Sequence, residues 1–146
     1  MKKIVLLVFG LVLAFSLKDA FAETSTKDAD SIAKFYKAYA KAFCEPDFIK
    51  SYEKCDSVMA IYCTPALCRD TKEDRGGTGI CYDYATDDEG ADELSINTLK
   101  VTSHNDYYIV TYQTNTINDR NQKYIKSVKL QVTMSNGKIT KVKSIK

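Results

Sequence analysis

The chain has 146 residues, with 21 basic and 19 acidic side chains, five cysteines, ten tyrosines and no tryptophan. That length supports one domain with its own core and does not reach two. Setting aside Lys2, Lys3, Lys18 and Asp19 leaves 18 basic and 18 acidic residues. A globally basic nucleic-acid binder is therefore excluded.

The first 22 residues read as an export signal. Lys2 and Lys3 precede an apolar run from Ile4 to Leu17, and Ala20-Phe21-Ala22 supplies the small residues of a cleavage site. The run has 14 residues, short of the roughly 20 that span a bilayer. The sequence thus predicts a cleaved signal peptide over 1–22 and a periplasmic or secreted product that leaves the membrane after cleavage. A flexible polar leader is expected over 23–30 and a single domain over 31–146.

In "SIAKFYKAYAKAF", Ile32, Phe35, Tyr36, Tyr39 and Phe43 share one helical face, with Lys34, Lys37 and Lys41 opposite. Asp28, Asp30 or Ser31 is suited to cap this helix, and Pro46 ends it. Residues 47–54 fit a short helix or a loop. "DSVMAIY" predicts a further short helix. "TPALCRDTKED" predicts another, with Thr64 as N-cap, Pro65 at the first helical position and Gly76-Gly77 as the stop. "TGICYDYATDDEGADE" reads as loop with a short strand at 80–84, and its acidic run as a solvated surface.

Strands are predicted from about Leu94 onward. "SINTLKVTS" turns at His104-Asn105-Asp106 into "YYIVTYQTNT", and "NDRNQ" turns into "KYIKSVKLQVTM". Val128, Leu130, Val132 and Met134 alternate with Lys129, Gln131 and Thr133, so one face is expected to be buried and the other wet. Asn136-Gly137 marks a tight turn. The apolar spacing at 139, 142 and 145 of the last strand predicts a bulge. The fold class is α+β, with N-terminal helices on an antiparallel sheet of about four strands.

The helix "FYKAYAKAF", the stretch "YCTPAL", the acidic "YDYATDDEGADE" and the closing "VKLQVTMSNGKITKVKSI" hairpin resemble the nuclear transport factor 2-like (cystatin-like) superfamily, in an exported bacterial branch of unknown function. The resemblance implies a curved, cone-like sheet wrapped around the long helix, with an apolar pocket at its open end. Tyr36, Tyr39, Phe43, Tyr108, Tyr112 and Met134 are the candidates to line that pocket. Fold alone does not choose among isomerases, dehydratases, ligand binders and association modules.

The cysteines fall at 44, 55, 63, 68 and 81 without a C-x-x-C, so neither a zinc knuckle nor a redox pair is indicated. No metal and no cofactor is expected. In an oxidising compartment the default is two disulfides and one thiol. The first is Cys44–Cys55, provided the segment between them is bent, since a full helix there would hold the two apart. Either Cys63 or Cys68 could take Cys81, with Cys68–Cys81 the preferred pairing. The function expected is an exported non-catalytic binding or accessory domain for a small apolar ligand or a protein partner, inhibitor- or immunity-like, with no nucleic acid and a homodimer open. The alternative is an enzyme of isomerase or dehydratase type, which would need a desolvated carboxylate or histidine facing the pocket.

Overall fold

The computed structural model describes residues 25–77, 83, 85–86 and 91–145; the expected signal segment, Cys81 and most of the acidic loop lie outside these. The chain is helical over 25–43 (α1), so 25–30, expected as leader, lie within the helix. Then come α2 (Phe48–Tyr62), α3 (Pro65–Gly77), α4 (Glu93–Thr98), β1 (Lys100–Ser103), β2 (Tyr108–Ile117), β3 (Lys123–Ser135) and β4 (Lys138–Ser144).

Alternation along the two long strands decides the packing. Tyr108, Val110, Tyr112 and Thr114 of β2 are buried, and Val128, Leu130 and Val132 of β3 face the same side. Ile32, Phe35, Tyr36 and Tyr39 of α1 join them in one core with Cys55 and Met59 of α2 and Ile139 of β4. The Phe35 ring packs on Tyr36 at 5.0 Å and on Tyr39 at 5.3 Å, and Tyr36 lies 6.1 Å from Tyr112. Burying each large side chain contributes about 1.5–3 kcal/mol.

The four strands form an antiparallel meander in the order β1-β2-β3-β4. The sheet is open and not strongly curled, which corrects both the cone-like fold class and the likeness to the nuclear transport factor 2-like superfamily. The physical reason lies in the strands themselves. Strong curvature needs bulges or glycine kinks in the long central strands. β2 and β3 pair without interruption from Tyr108↔Val132 to Ile117↔Lys123, and neither contains a glycine. The one register shift falls between β3 and β4 at Thr133/Met134, where Thr140 is the extra residue. Asn136 and Gly137 both have positive φ, at 50° and 71°, and close the last hairpin.

The helices also correct the disulfide expectation. Residues 48–62 form one continuous helix, with Asp47 as N-cap accepting from the Ile49 and Lys50 amides. The bent segment that a Cys44–Cys55 bridge requires is absent: Cys44 is exposed before α2, and Cys55 points into the core from its middle. Cys44, Cys55, Cys63 and Cys68 are all thiols, so neither expected bridge is formed. Burial pushes the Cys63 thiol up to about 12, the neighbouring Cys68 adds to the shift, and Lys138 opposes it.

Iodoacetamide near pH 8 is expected to alkylate Cys44 in the native protein, and Cys55 and Cys63 only in denaturant. Peptide mapping checks this, and Cys55 modified as fast as Cys44 under native conditions would contradict it.

Candidate functional site

The sequence-derived candidates separate into two groups. Tyr36, Tyr39 and Tyr112 are buried core residues, and Phe43 packs partly buried against the same core. Tyr108 and Met134 instead line a cleft of about 270 Å3 with Ser25, Asp28, His104, Asn105 and Asp106. The Tyr108 hydroxyl donates to Asp28 Oδ2 at 3.4 Å. Burial raises its pKa, and the charge of Asp28 adds to the effect. His104 is exposed in its turn, stacked on Tyr107 with ring centroids 5.0 Å apart. Among the described residues no group of three metal-ligating side chains converges.

One carboxylate is buried under α1. Asp83, expected on a solvated acidic surface, is only 6% exposed, and its Oδ2 accepts from the Tyr39 hydroxyl at 2.7 Å. Its Oδ1 accepts the Ala85 amide at 2.9 Å, and its carbonyl accepts the Thr86 amide at 3.2 Å. The Tyr112 hydroxyl donates to the Thr86 carbonyl at 3.4 Å. Asp83 and the turn residues Ala85 and Thr86 are thereby pinned to α1 and β2. Beside them, the Tyr36 hydroxyl and Thr86 Oγ1 are buried without a hydrogen-bond partner among the described residues. Burial drives the Tyr36 pKa well above the usual tyrosine range, with Tyr112, Cys63 and Asp83 adding to it. Asp83 does not line the cleft beside Tyr108.

The outer face of the sheet has a different chemistry. None of the four strands contains an aspartate or a glutamate. Register places Lys100, Thr111 and Lys129 in one row, Ile109, Gln131 and Lys143 in the next, and Thr133 beside Lys141. Lys123 stands on the same face opposite Ile117. All five lysines are exposed. A cleft of about 560 Å3 crosses this face, with Asn97, Thr98, Lys100, Gln113, Ser127 and Lys129 in its lining. The ion pairs Lys50–Asp47 and Lys54–Glu45 join the first half of α2 to the residues before it.

Short α4 is the element that the strand reading of "SINTLKVTS" missed. Asp92 caps it, with Oδ1 accepting the Ser95 amide at 3.0 Å while Ser95 Oγ accepts the Asp92 amide at 3.1 Å. Asp92 Oδ2 reaches across to β2, accepting from the Asn115 amide at 3.1 Å and from Asn115 Nδ2 at 2.6 Å. The Gln113 amide donates to Thr98 Oγ1 at 2.8 Å. β1 begins only at Lys100, opposite Thr111, so these side chains satisfy the edge of β2 beyond it, where no partner strand runs. An Asp followed three residues later by Ser, ahead of an apolar residue, was the available signal for the cap.

Burial acts to raise the Asp92 pKa, but the hydrogen bonds from Asn115 and Ser95 outweigh it and hold the carboxyl below the usual aspartate range. Its ionised form therefore stabilises the fold above the unfolded pKa of about 3.9, and the contribution is lost as pH falls through the depressed folded value. Asp92→Ala is expected to lower stability by about 1 kcal/mol at pH 7. The difference from the unmodified chain should shrink below pH 4 in chemical denaturation, and a pH-independent difference would refute this account.

In structure the chain is similar to a crystallised protein of unknown function from Bacteroides thetaiotaomicron. The TM-score is 0.65 and the identity 18%, with 90% of this chain and 98% of that one covered. At that identity the likeness concerns the fold alone. No protein-family model matches the sequence, and no curated protein matches it.

Proposed function

We propose that the chain is an exported, non-catalytic binding domain that receives an acidic protein partner on the outer face of its sheet. The observation that carries this reading is the row of exposed lysines at 100, 123, 129, 141 and 143 on a face whose strands contain no acidic residue. Holding like charges on one face costs little in water, but it favours an anionic partner and speeds the encounter. The threonine and glutamine side chains between the lysines supply hydrogen bonds without making a dry patch. Export is supported by the positive, apolar and small-residue segments of 1–22.

Triple charge reversal, Lys100→Glu with Lys129→Glu and Lys143→Glu, is expected to weaken binding to poly-L-glutamate by at least about tenfold and flatten its salt dependence. Isothermal titration with circular dichroism on the same samples checks this. Equal binding by the variant overturns the reading, as does binding confined to duplex DNA or anionic vesicles.

A second reading, enzymatic, is favoured by one observation: a buried carboxylate within 2.7 Å of a tyrosine hydroxyl. The bonds made by Asp83 favour a structural role, since one oxygen holds α1 and the other holds its own turn. On that account Asp83→Asn lowers stability by about 1.5–3 kcal/mol and leaves poly-glutamate binding of the folded protein unchanged. A variant as stable as the parent would shift the balance to chemistry, because groups placed for catalysis commonly cost stability.

A further inference from the structure

β3 is longer than the strand beside it. It runs from Lys123 to Ser135, whereas β4 pairs with it only from Ser135 back to Leu130. One more rung follows, the Ile145 amide donating to the Lys129 carbonyl at 3.0 Å. That bond sets the parity: the odd-numbered residues of β3 turn their backbone groups toward β4, and the even-numbered ones toward β2. The other side of the ribbon agrees, since the odd-numbered amides of Gln113 and Asn115 in β2 turn to α4. The backbone groups of Lys123, Ile125 and Ser127 therefore point into the lane that β4 leaves. Among the described residues, no backbone hydrogen bond from another segment reaches them.

This edge differs from its neighbours. β1 has four residues, too few to template an added strand well. The extension of β2 is satisfied by Thr98 and Asp92. The start of β4 is docked by the α2–α3 junction, where the Thr64 amide donates to the Ile139 carbonyl at 2.9 Å and Cys63 bridges Ile139. Beside the open lane stand Ile125, 58% exposed, and Tyr124, 45% exposed, with Ile117 diagonal to Ile125 on the outer face.

We infer that the 123–128 edge of β3 takes an extended, acidic segment of the partner as an added strand, antiparallel to β3 and in line with β4. This rests on the acidic-partner reading above and gives that partner's segment a conformation and a composition. Alternation sets the composition: acidic side chains would lie on the outer face, against Lys123 and diagonal to Lys129, and apolar ones on the other face, against Tyr124. A second copy of this chain, paired antiparallel about Ile125, would set Lys123 against Ser127 and Tyr124 against Lys126, and so offers these lysines no countercharge.

The probe is an alternating Glu-Val peptide of about ten residues, with poly-L-glutamate as the charge-only comparison. The peptide is expected to bind about tenfold more tightly than poly-L-glutamate of equal charge. In the unmodified protein it should slow hydrogen exchange at the amides of Lys123, Ile125 and Ser127, and leave those of Tyr124 and Lys126 unchanged. Ile125→Pro removes an outward donor without breaking the β2 ladder, so it should abolish the advantage of the peptide and keep poly-glutamate binding. If the two probes bind equally and the three amides stay unprotected, the edge is not the site, though the lysine face still stands. If neither probe binds, the acidic-partner reading fails and takes this inference with it. Protection that grows with protein concentration alone would replace the partner strand by a second copy.

Discussion

A four-stranded sheet with helices on one side can bury only one of its faces, and the rest of this structure follows from that. Tyr108, Val110, Tyr112, Val128, Leu130 and Val132 are set on one side by the period of two, and α1 supplies Ile32, Phe35, Tyr36 and Tyr39 to cover them. The intervening positions must then meet water, and the chain fills them mostly with polar side chains, lysine, threonine and glutamine among them, alongside Ile109, Ile117 and Ile125. The buried side needs a polar fastening where a turn passes beneath α1. Asp83, Tyr39 and the Ala85 amide provide it, satisfying a carboxylate that would otherwise cost several kcal/mol to bury.

The continuity of α2 separates two questions that the sequence had joined. An oxidising compartment favours disulfides only between thiols that can meet. α2 carries Cys55 into the core while Cys44 stays outside, and Cys63 is buried at the α2–α3 junction with its thiol shifted upward. The thiol state is thus fixed by packing, and it argues neither for nor against export.

Sequence periodicity made the long elements legible. The helical stripe of Ile32, Phe35, Tyr36 and Tyr39, the alternation in β3, the Asn136-Gly137 turn and the Thr64-Pro65 helix start all lie where local chemistry put them. Tertiary features were not legible in the same way. Curvature was inferred from a likeness of patterns, yet it depends on bulges and glycines that β2 and β3 lack. The residues before β1 read as strand because Ile96 and Thr98 favour it, while a six-residue helix capped by Asp92 won through its bonds to Asn115. Asp83 looked like one more solvated acid, since nothing local distinguishes a carboxylate that a tyrosine 44 residues earlier will hold. Lys123, Lys129, Lys141 and Lys143 all fall in the last 24 residues of the sequence, but only the register across all four strands, with Lys100 brought in from β1, puts them on one surface.

Lysines on sheet edges also serve to prevent aggregation, and that role accounts for some of those present here. It does not account for their distribution. A guard against edge pairing belongs on the outermost strands, as Lys141 and Lys143 of β4 are. Lys129 sits instead on an inner strand, between Thr111 and the last rung of β4, where no foreign strand can reach its own backbone. A guarded edge would also avoid exposed Ile125 and Tyr124 beside three backbone positions that no other described segment pairs. β-Branched and aromatic residues at an open edge strengthen an added strand, whereas the flanking lysines select against one that is neutral or basic. Together they describe an edge that discriminates among partners rather than one closed to all.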